Sequence, residues 1–181
     1  MHQDVERVLI SAEEIKQKIS ELGSVISRDY TGKNLLVVGI LKGAMVFMSD
    51  LIRSLSVDVQ IDFMAVSSYG ASSKSTGVVR ILKDLEQTIE GKHVLIVEDI
   101  VDTGLTLNYL QEILKARGPA GVRICTLLDK PSRREVDVAI DYNGFSIPDE
   151  FVIGYGLDYN EKYRNLPEIC ILKKEVYAVK K

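Results

Sequence analysis

The chain has 181 residues, 46% of them hydrophobic, with 23 basic against 26 acidic side chains and a net charge of −3. That length and apolar content suffice for a single domain with a full core that needs neither disulfides nor a structural metal. The charge balance, with no basic stripe, excludes nonspecific nucleic-acid binding as the default role, and no apolar run reaches membrane-spanning length.

The start, Met1-His2-Gln3-Asp4-Val5-Glu6, lacks the basic region and apolar stretch of a signal peptide, so a cytoplasmic protein without membrane partners is expected. Ser11 and Glu14 form a capping box, and Ile15, Ile19, Leu22 and Ile26 recur at helical spacing, which predicts an amphipathic helix ending near 29–32. A continuous apolar run over 35–40 reads as a strand. After Lys42-Gly43, the stretch 44–55 has helical length, with Met45, Met48, Leu51, Ile52 and Leu55 on one side. Residues 57–67 and 78–82 read as two further strands. Between them lies Gly70-Ala71-Ser72-Ser73-Lys74-Ser75-Thr76-Gly77, which is either an ordinary hairpin loop or a lid over a reactive centre.

The run Val94-Leu95-Ile96-Val97-Glu98-Asp99-Ile100-Val101-Asp102-Thr103-Gly104-Leu105-Thr106 carries the most chemistry. A buried strand over 94–97 ends in two carboxylates and a turn bearing hydroxyls and glycine, before a helix over 106–117 closed by Gly118-Pro119. Backbone N–H groups of such a turn, the helix N-terminus and the hydroxyls of Thr103 and Thr106 can converge on a phosphate monoester. Glu98 and Asp99 repel a phosphate but accept hydrogen bonds from the neighbouring hydroxyls of a ribose. Asp102, a carboxylate inside a phosphate cradle, must serve some other purpose, either as the helix N-cap or as a proton acceptor.

A strand over 122–128 follows, and then short strand-like runs at 138–140, 151–153 and 170–172 that suggest a small cap. Cys125 and Cys170 sit in separate apolar runs and read as buried thiols of a reducing compartment. Alternating strands and helices predict an α/β domain with a mostly parallel central sheet flanked by helices. Ligands bind such sheets at the carboxyl ends of the strands, where Lys42, the 99–106 segment and Asp129-Lys130 gather. The basic pair Arg133-Arg134 reads as a solvated surface feature. No G-x-G-x-x-G follows the first strand, which removes a dinucleotide-binding oxidoreductase from consideration.

Leu41-Lys42-Gly43, Ser68-Tyr69-Gly70, Val97 to Gly104, Leu127-Leu128-Asp129-Lys130 and Val152-Ile153-Gly154-Tyr155-Gly156-Leu157-Asp158-Tyr159-Asn160-Glu161 match motifs of a known family, across nearly the whole chain. The sequence resembles the hypoxanthine (hypoxanthine–guanine) phosphoribosyltransferases, purine-salvage members of the type I phosphoribosyltransferase family. The resemblance implies the type I fold as one domain, with a core over about 34–135 and a hood built from about 1–12 and 136–181. It implies a reaction of 5-phosphoribosyl 1-diphosphate with hypoxanthine or guanine, magnesium as cofactor, and a homodimer or homotetramer.

The same resemblance implies roles for individual residues. Asp102, Thr103, Gly104, Leu105 and Thr106 would surround the 5′-phosphate, with Asp102 also the general base near N7 of the purine, and Glu98 and Asp99 would hold the ribose. Leu41, Lys42, Gly43 and Arg164 would grip the diphosphate, with a cis peptide between Leu41 and Lys42. Lys130, Phe151, Val152 and Asp158 would line the purine site: Lys130 reading O6, Phe151 stacking on the base and Val152 meeting its edge. Asp158, Glu98 and Asp99 would serve magnesium, and Ser68 and Tyr69 would mark the tip of a mobile loop. Read without the resemblance, Lys130 is a solvated residue at a strand exit, Lys42 and Arg164 are surface cations, Phe151 and Val152 are strand core, and Asp158 is a turn residue. A protein of a different class, one that keeps the same fold as a ligand sensor and binds nucleic acid, should carry a clustered basic face or an added module.

Overall fold

A computed structural model describes residues 2–68 and 79–178. The loop 70–77, Tyr69 and Lys180-Lys181 lie outside the described residues, as does the side chain of Ser68. The chain forms β1 (Val5–Ile10), α1 (Ala12–Asp29), β2 (Leu35–Leu41), α2 (Ala44–Arg53), β3 (Val59–Ser68), β4 (Val79–Lys83), β5 (His93–Val101), α3 (Leu105–Lys115), β6 (Gly121–Asp129), β7 (Tyr142–Ser146), β8 (Val152–Ile153), β9 (Ile169–Leu172) and α4 (Lys174–Tyr177). None of the described helices is long and apolar enough to cross a membrane.

Six strands make the large sheet in the order β4-β3-β2-β5-β6-β7, parallel throughout except for the antiparallel edge β4. Residues 35–40 of β2 and 94–97 of β5 are buried in unbroken runs, as a parallel strand covered on both faces requires. Ile15, Ile19, Phe47 and Leu51 of α1 and α2 pack with Val37, Leu95 and Val97 on one face. On the other, Leu107, Leu110 and Leu114 of α3 pack with Leu36, Val38 and Ile96. From β2 the chain crosses through α2 to β3 on one side, and from β5 through α3 to β6 on the other. The carboxyl ends of β2 and β5 therefore part at the point where strand order reverses, and a crevice opens there.

Helix α1 starts at the expected capping box: Ser11 Oγ accepts from the Glu14 amide at 3.3 Å, and the Glu14 carboxylate accepts from the Ser11 amide at 2.8 Å. Such a cap contributes about 1 kcal/mol. The buried seam of α2 is Ala44, Phe47, Met48 and Leu51, whereas Met45, expected on that seam, is 52% exposed. Gly39 on β2 is the reason, because a Cβ there would overlap the Met48 sulfur, so the helix is turned to seat Met48 against the strand.

Three boundaries differ from the sequence reading. Strand β5 runs on to Val101 because the β6 ladder continues through Glu98–Thr126, Ile100–Leu128 and Val101–Asp129, which puts the acidic pair on the strand itself. The strand expected over 138–140 is irregular backbone whose Val138 packs beside Gly104, and the ladder partner of β6 lies at β7 instead. Strand β7 belongs to the large sheet, although it falls within the span expected for the hood. A separate three-stranded antiparallel sheet has the order β1-β9-β8, in which the unforeseen strand β1 pairs with β9 from Val5–Leu172 to Ile10–Ile169.

Candidate active site

Between β5 and α3 the backbone turns through Asp102, Thr103 and Gly104. Gly104 is the N-cap of α3, with φ +84° and no side chain to serve the helix N–H groups. Only glycine adopts that conformation without strain; Thr103 Oγ1 accepts from the Leu105 amide at 3.4 Å, and the other N–H groups of the first turn with the positive helix end favour an anion. The turn is pinned by the Thr103 carbonyl, which accepts from the Glu135 amide at 2.9 Å and the Val136 amide at 3.3 Å. It opens on a cavity of about 260 Å³ whose lining includes Glu98, Asp102, Thr103, Gly104 and Thr106. Asp102 is not the N-cap. Its carboxylate accepts instead from Arg133 Nε at 3.1 Å.

Glu98 and Asp99 stand side by side at the end of β5. The Asp99 carboxylate accepts from the Ile100 amide at 2.8 Å and lies where Gly43 would carry a Cβ, so a larger residue at 43 would displace it. Burial raises the Glu98 pKa well above its ordinary value, and the neighbouring Asp99 charge adds to it. Burial raises Asp99 too, partly offset by a hydrogen bond from Glu98. Hydroxyl donors or a hard cation would relieve both groups. Among the described residues no three His, Cys, Asp or Glu side chains converge to hold a metal alone. The donor set therefore fits a magnesium ion that keeps water and phosphate oxygens in most of its shell.

Across the crevice, the Leu41–Lys42 peptide is cis. Gly156, at φ +100°, rests on this turn so closely that a Cβ would overlap the Gly43 carbonyl oxygen. Arg164 donates to the Gly156 carbonyl at 2.7 Å through Nη1 and to Glu161 at 3.3 Å through Nη2, which is also ion-paired with Asp158 at 2.9 Å. Lys42 Nζ donates to the other Glu161 oxygen at 2.8 Å, and the hydrogen bond and charge of Lys42 hold the Glu161 carboxyl below its usual range. Asp158 also accepts from the Glu161 amide at 2.9 Å, so both of its oxygens are engaged. Lys42, Glu161 and Arg164 line a second cavity of about 670 Å³ that extends to the chain start at His2 and Asp4.

Lys130 is 9% exposed, which rules out a solvated exit residue. Its amide donates to the Val101 carbonyl at 2.9 Å, its Nζ donates to the Glu150 carbonyl at 2.6 Å, and Asp149 lies 3.7 Å away. Val152 is buried on β8. Phe151 stacks on Tyr177 at 4.8 Å with a 22° interplanar angle and meets Tyr159 edge-on at 5.4 Å. Ser68 ends β3, paired with Val79.

The sequence reading overlooked Arg133, Arg134, Glu161 and Tyr177. Arg133 and Arg134 are no idle surface pair: Arg133 holds Asp102 and lies 3.9 Å from Asp149, while Arg134 pairs with Asp129 and donates to the Asp102 carbonyl at 3.0 Å. Two cations just past a strand that ends in aspartate, beside an acidic turn, were the available signal.

Residues 9–160 match the phosphoribosyl transferase domain family. The bifunctional protein TilS/HprT of Listeria monocytogenes (strain F2365) is 52% identical over 178 residues, 98% of this chain, and this chain spans only 28% of that protein's length. The hypoxanthine-guanine phosphoribosyltransferase of Bacillus subtilis (strain 168) is 52% identical, over 98% of each chain. A crystal structure of a hypoxanthine phosphoribosyltransferase from Staphylococcus aureus superposes with a TM-score of 0.96 at 53% identity, covering 98% of this chain and 97% of the other.

The raised Glu98 pKa has a consequence for stability. Between the ordinary value near 4.5 and the raised folded value, the folded chain keeps a proton that the unfolded chain has released. Stability of the ligand-free protein is therefore expected to fall as pH rises through that window. Asp84, lowered by its hydrogen bond from Arg117, acts with the opposite sign, and its contribution is lost as pH falls below the ordinary carboxylate range. Glu98→Gln should flatten the decline above pH 4.5, read as melting temperature across a pH series; a slope matching the parent protein would contradict this assignment.

Proposed function

Since the chain belongs to the phosphoribosyl transferase domain family, we propose that it transfers the 5-phosphoribosyl group of 5-phosphoribosyl 1-diphosphate to N9 of hypoxanthine or guanine, giving IMP or GMP and diphosphate. The observation that carries this reading is the glycine-capped start of α3 immediately beside two partly buried carboxylates, at the crevice where β2 and β5 part. One short segment thereby offers both an anion cradle and acceptors for the hydroxyls of a pentose.

In this reading the N–H groups and hydroxyls of Thr103, Gly104, Leu105 and Thr106 hold the 5′-phosphate, and Glu98 and Asp99 accept from the ribose hydroxyls. Leu41, Lys42 and Gly43 from one wall and Arg164 from the other hold the diphosphate, Arg164 with a planar donor fork. Magnesium would be served by Asp158 on the diphosphate side and by Glu98 and Asp99 on the ribose side, and when bound it supplies positive charge to the departing diphosphate. As the C1′–O bond to diphosphate breaks and the bond to N9 forms, the purine N7 proton passes to Asp102, which Arg133 orients. Lys130 donates to O6 of a 6-oxopurine and offers nothing to the amino donors of adenine. Val152 meets the base edge, Phe151 stacks on the base, and Asp158 closes the base pocket. Asp149 lies between Lys130 and Arg133, so reading of the base and orientation of the proton acceptor share one carboxylate. Ser68 and Tyr69 belong to a loop that closes over the donor and excludes water.

The buried free thiols Cys125 and Cys170 suit a reducing cytoplasm. A homodimer or homotetramer is part of the same reading, supported by the exposed Met45, Ile61 and Leu82 on α2, β3 and β4.

A panel of nucleobases offered with 5-phosphoribosyl 1-diphosphate and magnesium tests the whole reading: diphosphate release is expected with hypoxanthine and guanine and not with adenine. Donor binding with no base-dependent release would instead favour a ligand sensor. Asp102→Asn keeps the shape and removes the proton acceptor, so kcat should fall about 10²- to 10⁴-fold while the donor KM changes little; an unchanged kcat with chemistry rate-limiting would defeat the assignment. Lys130→Ala should lower discrimination between hypoxanthine and adenine by about tenfold or more in kcat/KM, and intact discrimination would mean that O6 is read elsewhere.

A further inference from the structure

The cavity between the β2 turn and the hood is lined by Glu161, a carboxylate that the proposed reaction does not use. Glu161 lies between the two cations assigned to diphosphate, accepting from Lys42 Nζ at 2.8 Å on one oxygen and from Arg164 Nη2 at 3.3 Å on the other. Its side chain is 66% exposed and belongs to none of the apolar clusters, so packing does not put it there. The backbone does. Glu161 has φ +60°, and its neighbours Asn160 and Tyr163 have φ +53° and +78°, left-handed conformations that residues with side chains rarely adopt. The Glu161 amide is tied to Asp158 at 2.9 Å, and paired Tyr159–Lys162 hydrogen bonds of 3.2 and 3.1 Å close the turn.

A carboxylate that gives each of its oxygens to a different cation occupies the place of two phosphate oxygens. A diphosphate held by Lys42 and Arg164 competes with Glu161 for their donors, and its charge beside the Glu161 carboxylate is repelled. We infer that Glu161 is a positioning residue that acts as an internal anion: it holds Lys42 and Arg164 together before substrate arrives, yields them to the incoming diphosphate group, and reclaims them as diphosphate departs. Binding of diphosphate is then an exchange of anions, weaker than binding to two unpaired cations. Its release is correspondingly faster, because each contact it surrenders is taken up at once. The inference rests on the phosphoribosyltransferase reading only for the identity of the anion that fills the site.

Calorimetric titration with inorganic diphosphate, with and without magnesium, tests it on the full chain carrying Glu161→Gln or Lys42→Ala. E161Q keeps the shape of an exposed side chain and removes its charge. Loss of two exposed ion pairs of ordinary strength predicts binding roughly three- to tenfold tighter than the parent in both conditions, with slower dissociation in stopped-flow displacement. K42A should bind more weakly. Unchanged or weaker binding in E161Q while K42A remains impaired overturns the inference alone, and weaker binding only in magnesium overturns it too by making Glu161 a servant of the metal. No binding to the parent, or binding indifferent to K42A, overturns the assignment of the diphosphate site and the inference with it.

Discussion

A carboxylate oxygen of Asp99 lies where any residue but glycine at 43 would carry its Cβ, and the carbonyl of Gly43 in turn lies where any residue but glycine at 156 would carry one. These two contacts clamp the end of β5, the turn after β2 and the loop of the hood into one block. Each comes from a different stretch of chain, and only the parting of β2 and β5 at the reversal of strand order lets all three meet. The acidic pair lies partly buried at this junction, and that desolvation raises both carboxyl pKa values. Ligand hydroxyls or a cation would lower the cost of charging it where the ribose is proposed to sit.

Elsewhere in the crevice the charges are matched internally. Lys42 pairs with Glu161, Arg164 with Asp158 and Glu161, Arg133 with Asp102, and Lys130 lies against Asp149 and the Glu150 carbonyl. Most of these pairs are partly exposed, and such pairs contribute from nothing to about 1 kcal/mol each. They hold side chains in place at little cost when exchanged for a substrate anion. The Arg134–Asp129 pair differs, being mostly buried, and it anchors the loop that carries Arg133. A rigid anchor behind exchangeable partners suits a site that must bind a polyanion and let its fragment go.

Local rules account for much of the core. The unbroken apolar runs of β2 and β5, the capping box of α1 and the glycine-bearing turn before α3 follow from propensity, periodicity and cap chemistry, and the family resemblance added roles to the same residues. Strand β1 escaped notice because Glu6 and Arg7 interrupt its apolar pattern and its partner β9 lies more than 150 residues away in sequence. The rotation of α2 hung on Gly39 and Met48, one pair contact across two elements. Likewise the run at 138–140 has the apolar look of a strand, yet those side chains are spent on packing near Gly104 while the hydrogen-bond ladder forms four residues later.

From residue order alone came the α/β class, the acid-to-glycine turn at 98–106 and the identity of the cations that end the strands, because each depends on neighbours within a few positions. Only the folded chain decided that Asp102 faces Arg133 instead of capping α3, that Lys130 is buried against Glu150, that Phe151 already carries Tyr177 on one face, and that Glu161 joins Lys42 to Arg164. Those are contacts across 20 to 119 positions, apart from the short reach between Glu161 and Arg164. A side chain's partner at that range is set by sheet order and loop path, which no local pattern encodes.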